Sequence, residues 1–177
     1  MKLDLAHRVP RFFSSLRPGP PKRPDLEWAL AALSDREQKL FLRMSNPDQR
    51  HAVRVARRVE EAYGGLADPA VPVEVALAAA LLHDVGKVEA GLGTYGRTIA
   101  TVSGLVGGLD LAEIWQEKTG FTRKVGLYLR YTIIGAEMLE LAGSDDRVIA
   151  WSIEHHLPED AWSVPVEFGR ILAAADE

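Results

Sequence analysis

Apolar residues recur at intervals of three and four along most of this chain, which is the pattern of amphipathic α-helices. Leu40, Phe41 and Met44 repeat it after Ser34 and Glu37, which have the spacing of a helix-starting capping box. No segment alternates polar and apolar residues as a half-buried strand does, and no Asn-Gly turn is present to join two strands. The pattern therefore predicts an all-α fold in a single domain.

The helix ends are predicted from residues that favour a start or a stop, such as capping side chains and proline before a helix and glycine after it. Asp25 is expected to cap the first helix. The Gly-rich stretch 88–120 predicts only short helical pieces, around Ile99 and Ile114. The predicted helices cover residues 25–33, 34–44, 46–63, 73–85, 122–131, 132–142, 145–156 and 166–176.

Charge divides the chain into a basic arm and an acidic domain. Residues 1–24 are rich in proline and carry a net charge of +5, whereas residues 25–177 carry −9. The arm could bind an acidic membrane surface, a nucleic acid or a partner, or it could wrap around its own domain, which is the interpretation we favour. The acidic domain is unlike that of a nucleic-acid-binding protein, so no nucleic acid is expected as a partner.

Composition narrows the chemistry further. The chain has 177 residues, of which 47% are hydrophobic, and this suits one domain with a packed core. It has no cysteine, which excludes disulfides, thiolate metal sites and cysteine nucleophiles and favours a cytoplasmic location. No uncharged apolar run of about 18 residues occurs, so no membrane span is expected. The oligomeric state is not indicated.

His83 and Asp84 stand side by side at the end of the most apolar predicted helix, whose sequence is VEVALAAALL. Burying an ionisable pair is unfavourable unless a partner compensates it. A divalent cation does so, because it accepts neutral imidazole and carboxylate ligands together. The alternative is an ordinary helix end with a capping Asp and an isolated His.

Two further residues have the chemistry of metal ligands, although each alone has a structural explanation. His51 shares a helix face with Val55 and Val59, where a lone His is more often a satisfied core residue. Asp176 lies at the end of the last predicted helix, where a lone Asp is usually solvated and where its charge opposes the helix dipole. A cation bound near Asp176 would make its negative charge favourable at this position.

The order His51, His83-Asp84, Asp176 resembles the HD superfamily. The resemblance covers about residues 34–177 and rests on the stretches DQRHAVRVARRVEEAY, ALAAALLHDVGK, RYTIIGAEMLELAG, EHHLP and ILAAADE. It implies an all-helical, metal-dependent phosphohydrolase fold in which these four residues bind one divalent metal ion. Manganese, iron, zinc, nickel and magnesium are all candidates for that ion.

Several neighbouring residues are candidates for the reaction itself. Asp84 could orient the attacking water as well as bind the metal. Lys87, three residues later, could reach a phosphate, or it could simply compensate the charge at a helix C-terminus. Arg54 is a candidate phosphate contact, with solvation as its alternative. His155 or His156 could contact the substrate or donate a proton, and the sequence does not decide between them.

Two departures from the family narrow the expected function. Subgroups with two metals carry a His where this chain has Tyr131, a poor ligand for a second hard cation, and we assign Tyr131 to the substrate. The cyclic-dinucleotide phosphodiesterase subgroup follows its His pair with Glu and a Gly-Tyr-Pro element, which is missing after His156. The resemblance thus implies hydrolysis of a phosphate mono- or diester of a small molecule, for which the family's habits suggest a nucleotide.

Other functions are weighed against this one. A non-catalytic HD-fold signalling or interaction module would usually have lost ligands, and all four are present. A two-metal oxygenase of the same fold would need further ligands, such as a His at position 131. A Gly-x-Gly-x-x-Gly match at residues 91–96 follows a predicted helix and not a strand, so we interpret it as a loop and not as a dinucleotide site.

Overall fold

The computed structural model describes residues 19–67, 69–92 and 114–177. Every regular element within these ranges is helical, so the predicted all-α fold is confirmed, and none of these helices is long and apolar enough to cross a membrane. Most of the predicted basic arm, the piece around Ile99 and most of the 91–96 motif lie outside the described residues. The helices are α1 (Arg23–Ala31), α2 (Asp35–Arg43), α3 (Asn46–Tyr63), α4 (Val73–Leu82), α5 (Lys87–Ala90), α6 (Gly120–Leu129), α7 (Tyr131–Ala142), α8 (Asp146–Glu154), a 3₁₀ turn (Glu159–Ala161) and α9 (Val166–Asp176).

Helix α4 forms the centre of the fold. From residue 75 onward it is wholly apolar, and residues 76–82 are all buried, as is typical of a helix surrounded by other helices. It packs against α2, α3, α8 and α9, which contribute apolar residues to the same core. His83 and Asp84 come directly after α4 and are therefore buried as well.

The turn after α4 ends that helix three residues earlier than predicted. The amide of Val85 bonds to the carbonyl of Leu82, three residues back, at 3.0 Å. The amide of Lys87 bonds to the carbonyl of Asp84 in the same way, at 3.1 Å. This tighter bonding ends the α-helical pattern, and α5 begins at Lys87. Lys87 thus belongs to the next helix, and its alternative role of compensating a helix C-terminus is not tested by this position.

Glycine allows this turn to contact α7. A Cβ atom on Gly86 would overlap the carbonyl oxygen of Tyr131 and would lie 2.6 Å from the amide nitrogen of Gly135. A Cβ atom on Gly135 would in turn lie 2.8 Å from Ser152 Oγ in α8. The turn that carries Asp84 is thus in backbone contact with α7. This contact fixes the position of Tyr131 relative to Asp84.

Several other predicted helix ends are wrong, including both ends of α6, which lies at 120–129 and not at 122–131. Helix α1 begins at Arg23 and not behind a cap at Asp25, because Pro24 suits the first turn, where its missing N–H is not needed. Helix α8 ends at Glu154, two residues early, because the His155 ring bonds to carbonyl groups of its last turn. The capping box that opens α2 and the glycine stop after α7 are both present as predicted.

Candidate metal centre

Three side chains from distant parts of the sequence converge at the C-terminal end of α4. They are His51 in α3, His83 after α4 and Asp176 at the end of α9, and we call them the metal trio. One ligand atom from each lies within 4.8 Å of those of the other two. Asp176 Oδ1 is 2.8 Å from His51 Nε2 and 3.7 Å from His83 Nε2. Two imidazoles and a carboxylate in this arrangement fit a divalent metal ion.

The backbone fixes which ring nitrogen His83 presents to the trio. His83 Nδ1 lies 2.9 Å from the carbonyl oxygen of Ala80, which only accepts, so Nδ1 carries the proton. Nε2 is then the ring nitrogen that faces Asp176. Histidines that bind metals are commonly oriented by such a second hydrogen bond. The side chain of His83 is 3% exposed, whereas those of His51 and Asp176 are 19% and 25% exposed, so solvent reaches the trio from their side.

Arg58 ties the end of α9 to α3. Its Nη1 donates a hydrogen bond to the carbonyl oxygen of Ala175, at 3.0 Å. A cation there stabilises the helix C-terminus and holds the residue before Asp176 in place. Arg58 is not among the predicted site residues. Its position seven residues after His51, on the same helix face, was the available signal.

Burial and neighbouring charges keep two of the candidate ligands, His51 and Asp84, in the forms that bind metals. Burial lowers the pKa of His51 and outweighs the hydrogen bond to Asp176, which raises it. Burial alone would raise the pKa of Asp84, but the charges of Lys87 and the surrounding imidazoles hold it well below its usual value. At neutral pH His51 is therefore neutral and Asp84 is charged.

Asp84 lies beside the metal trio and links it to Lys87. Its Oδ2 is 3.5 Å from His83 Nε2, and its Oδ1 is 3.9 Å from His155 Nε2. Lys87 Nζ lies 2.5 Å from Asp84 Oδ2, so the two residues predicted to share a side do meet. The same ammonium stands 4.7 Å from the centre of the Tyr131 ring, within the range of a cation–π interaction.

Tyr131 begins α7, and its hydroxyl joins the two histidines that follow α8; we call these three residues the tyrosine cluster. Tyr131 Oη is 3.1 Å from His155 Nε2 and 2.5 Å from His156 Nε2. His155 also packs against His83, with 5.1 Å between ring centres, and its side chain is 2% exposed. Burial, aided by the charge of His83, lowers the pKa of His155 to about 3. His155 therefore faces the trio, while His156 is exposed.

Arg54 has a different setting from the other predicted residues. It is exposed on α3, one turn after His51. Its Nη1 lies 3.3 Å from the carbonyl oxygen of Arg50, to which it donates. Its assignment as a phosphate contact stays a prediction.

Comparison with known proteins agrees with this geometry. The family model described as HD domain matches residues 49–177, which is well over half of the chain and includes the whole metal trio. No curated protein and no solved structure matched in the corresponding searches. The helical fold, the order of its histidines and aspartates and this match lead to one conclusion: the chain belongs to the HD-domain family.

Proposed function

We propose that this protein is a metal-dependent phosphohydrolase that hydrolyses a phosphate mono- or diester of a small molecule, with a nucleotide as one candidate. The observation that carries the proposal is the convergence of the metal trio within 4.8 Å, next to a buried Asp84 paired with Lys87. Family membership supports it, because HD domains are commonly metal-dependent hydrolases.

The residues of the site would have separate roles in such a reaction. The metal trio would hold one divalent ion, with Asp84 as a fourth ligand from its position beside His83. That ion would supply an acidified water and charge stabilisation for the phosphoryl oxygens. Asp84 stays charged and can accept a hydrogen bond from the attacking water, and the Lys87 ammonium can bind a phosphate oxygen that approaches it. Manganese, iron, zinc, nickel and magnesium remain candidates.

The competing function is a non-catalytic HD-fold module for signalling or interaction. Such a module has no need of ionisable side chains buried around one point, because burying them without a ligand is unfavourable. A two-metal oxygenase is disfavoured by the residue at position 131, since the Tyr131 hydroxyl is engaged with two histidines.

The test is elemental analysis of protein purified without added metal, followed by a hydrolysis screen over nucleotides and simple phosphate esters. We expect about one metal ion per chain on the basis of a single ligand set. Activity should disappear with a chelator and return with the metal alone. Stoichiometric metal without hydrolysis of any ester would contradict the proposal and support the module. Cytoplasmic location stays a prediction.

A further inference from the structure

The contacts of His155 fix the direction of the first hydrogen bond in the tyrosine cluster. His155 Nδ1 lies 3.1 Å from the carbonyl oxygens of both Trp151 and Ser152. Carbonyl oxygens only accept, so Nδ1 carries the ring proton, and a neutral His155 presents a bare Nε2. Tyr131 Oη lies 3.1 Å from that Nε2 and therefore donates its proton to it.

The second hydrogen bond follows from the first. His156 Nε2 lies 2.5 Å from Tyr131 Oη. The hydroxyl has one proton, which points to His155, so its oxygen must accept from His156 Nε2–H. The hydrogen bonds thus run in one direction, from the exposed His156 through the buried Tyr131 to His155 beside Asp84.

We propose that the Tyr131 hydroxyl is the proton donor to the leaving-group oxygen and that His156 replaces the proton that Tyr131 gives up. This inference rests on the proposed phosphoester hydrolysis. When the phosphorus–oxygen ester bond breaks, its electron pair stays on the leaving oxygen. The Tyr131 O–H bond breaks as a new O–H bond forms on that oxygen. The tyrosine oxygen then takes the Nε2 proton of the neutral His156 while the other ring nitrogen of His156 takes a proton from solvent, so the ring stays neutral and the protons balance.

The surroundings of Tyr131 suit this role. Burial raises the pKa of Tyr131 well above its ordinary value, with the charge of Asp84 adding to the effect, so the hydroxyl keeps its proton at neutral pH. Lys87 Nζ stands 4.7 Å from the tyrosine ring, so a phosphate bound by Lys87 would bring its ester oxygen near that residue. His156 is exposed and can regain a proton from solvent. His155 is a positioning residue, because its hydrogen bond with the Tyr131 hydroxyl keeps that hydroxyl in one orientation.

The first experiment compares two leaving groups in Tyr131→Phe, which removes the hydroxyl and keeps the ring. An alkyl phosphate releases an alkoxide that needs a proton, whereas p-nitrophenyl phosphate releases a stabilised phenolate that does not. We expect kcat to fall about 100-fold or more for the alkyl ester and less than about threefold for the nitrophenyl ester, as for loss of a general acid. Metal affinity should stay unchanged. Tyr63→Phe removes a hydroxyl at the far end of α3 and should change neither rate.

Equal losses on the two esters, or no loss on the alkyl ester, would overturn the inference while leaving the proposed hydrolysis intact. Wild-type protein that hydrolyses neither simple phosphate esters nor nucleotides with any of the candidate metals would overturn the proposed function, and the inference with it. Long-range ¹H–¹⁵N spectra of the histidines give a readout that does not depend on activity. We expect the proton on Nδ1 in His155 and on Nε2 in His156, and a proton on His155 Nε2 at neutral pH would overturn the hydrogen-bond direction.

Discussion

The metal trio and the tyrosine cluster are both built around histidine, yet their hydrogen-bonding groups are arranged in opposite ways. In the trio, His51 Nε2 and His83 Nε2 both face the same oxygen of Asp176. In the cluster, the two histidine Nε2 atoms face one hydroxyl, which donates to one and accepts from the other. Atoms that can bind a metal converge in the trio, whereas donors and acceptors alternate in the cluster.

This difference separates two tasks. Converging ligand atoms can hold a cation, while the hydrogen bonds of an alternating chain can keep a proton in a fixed direction. The two groups also depend on the fold differently. The trio draws on α3, α4 and α9, which are far apart in sequence, and the cluster draws on α7 and the turn after α8, which pack together. Variants of the trio should therefore change metal binding, and variants of the cluster should not.

The largest effect is expected from His83→Ala, which removes the most buried member of the trio. Loss of a ligand should weaken metal binding by more than about 100-fold, since even residues that only support ligands contribute 10- to 100-fold. Helix content should stay the same, because the apolar surface of α4 packs without His83. Elemental analysis, circular dichroism and the rise of Tm with added metal measure these effects.

Tyr131→Phe is the matched variant from the cluster and should retain its metal. If His83→Ala kept stoichiometric metal and full activity, or if Tyr131→Phe lost its metal, the division between the two groups would not hold.

Asp176→Asn should have the next largest effect, because it keeps the shape of the side chain and removes the charge that a cation needs. We expect metal binding about tenfold weaker or more, the lower end of what groups around a metal contribute. We also expect faster proteolysis near residues 168–172, since the metal would hold down the chain end. Removal of Glu177 is the control and should change neither. Identical metal content and proteolysis in wild type and Asp176→Asn would make Asp176 an ordinary solvated residue.

The pH dependence of stability should distinguish the buried cluster histidine from a solvated one. The pKa of His155 is lowered from 6.5 to about 3. Between these two pH values the unfolded chain therefore binds a proton at this histidine, and the folded chain does not. The free energy of unfolding is therefore fully present above pH 6.5 and decreases as the pH falls toward 3, by at most about 1.4 kcal/mol per pH unit from this group. His51, whose pKa is also lowered, acts in the same direction.

Urea unfolding between pH 5 and 7.5, with a chelator present to exclude metal effects, measures this dependence. Carboxyl groups with ordinary unfolded pKa values titrate mostly below that range. His155→Gln should show a shallower slope than the wild type. An unchanged slope would mean that His155 is protonated in the folded protein.

The fold and the metal trio could largely be predicted from local sequence, whereas the surroundings of the trio could not. Hydrophobic periodicity and a capping box predict the helices, and the order of His51, His83 and Asp176 indicates ligands that the fold brings together. The end of α4 was missed, because it depends on the backbone contact of Gly86 with α7, between residues distant in sequence. For the same reason the periodicity could not choose between His155 and its neighbour.

Arg58→Ala is expected to have the smallest effect and tests whether the trio depends on how α9 is held. The lost hydrogen bond to Ala175 and the lost cation at a helix C-terminus correspond to about 0.3–1 kcal/mol, or roughly a two- to fivefold weaker metal affinity if Asp176 becomes less ordered. Arg57→Ala is the matched control, since Arg57 lies 3.6 Å over the Trp28 ring and pairs with Glu60, away from the end of α9. Isothermal titration with one candidate metal should show a higher Kd for Arg58→Ala and an unchanged Kd for Arg57→Ala. Equal affinities in both variants would mean that the metal orders Asp176 without help from α3, and that the trio assembles from its three ligands alone.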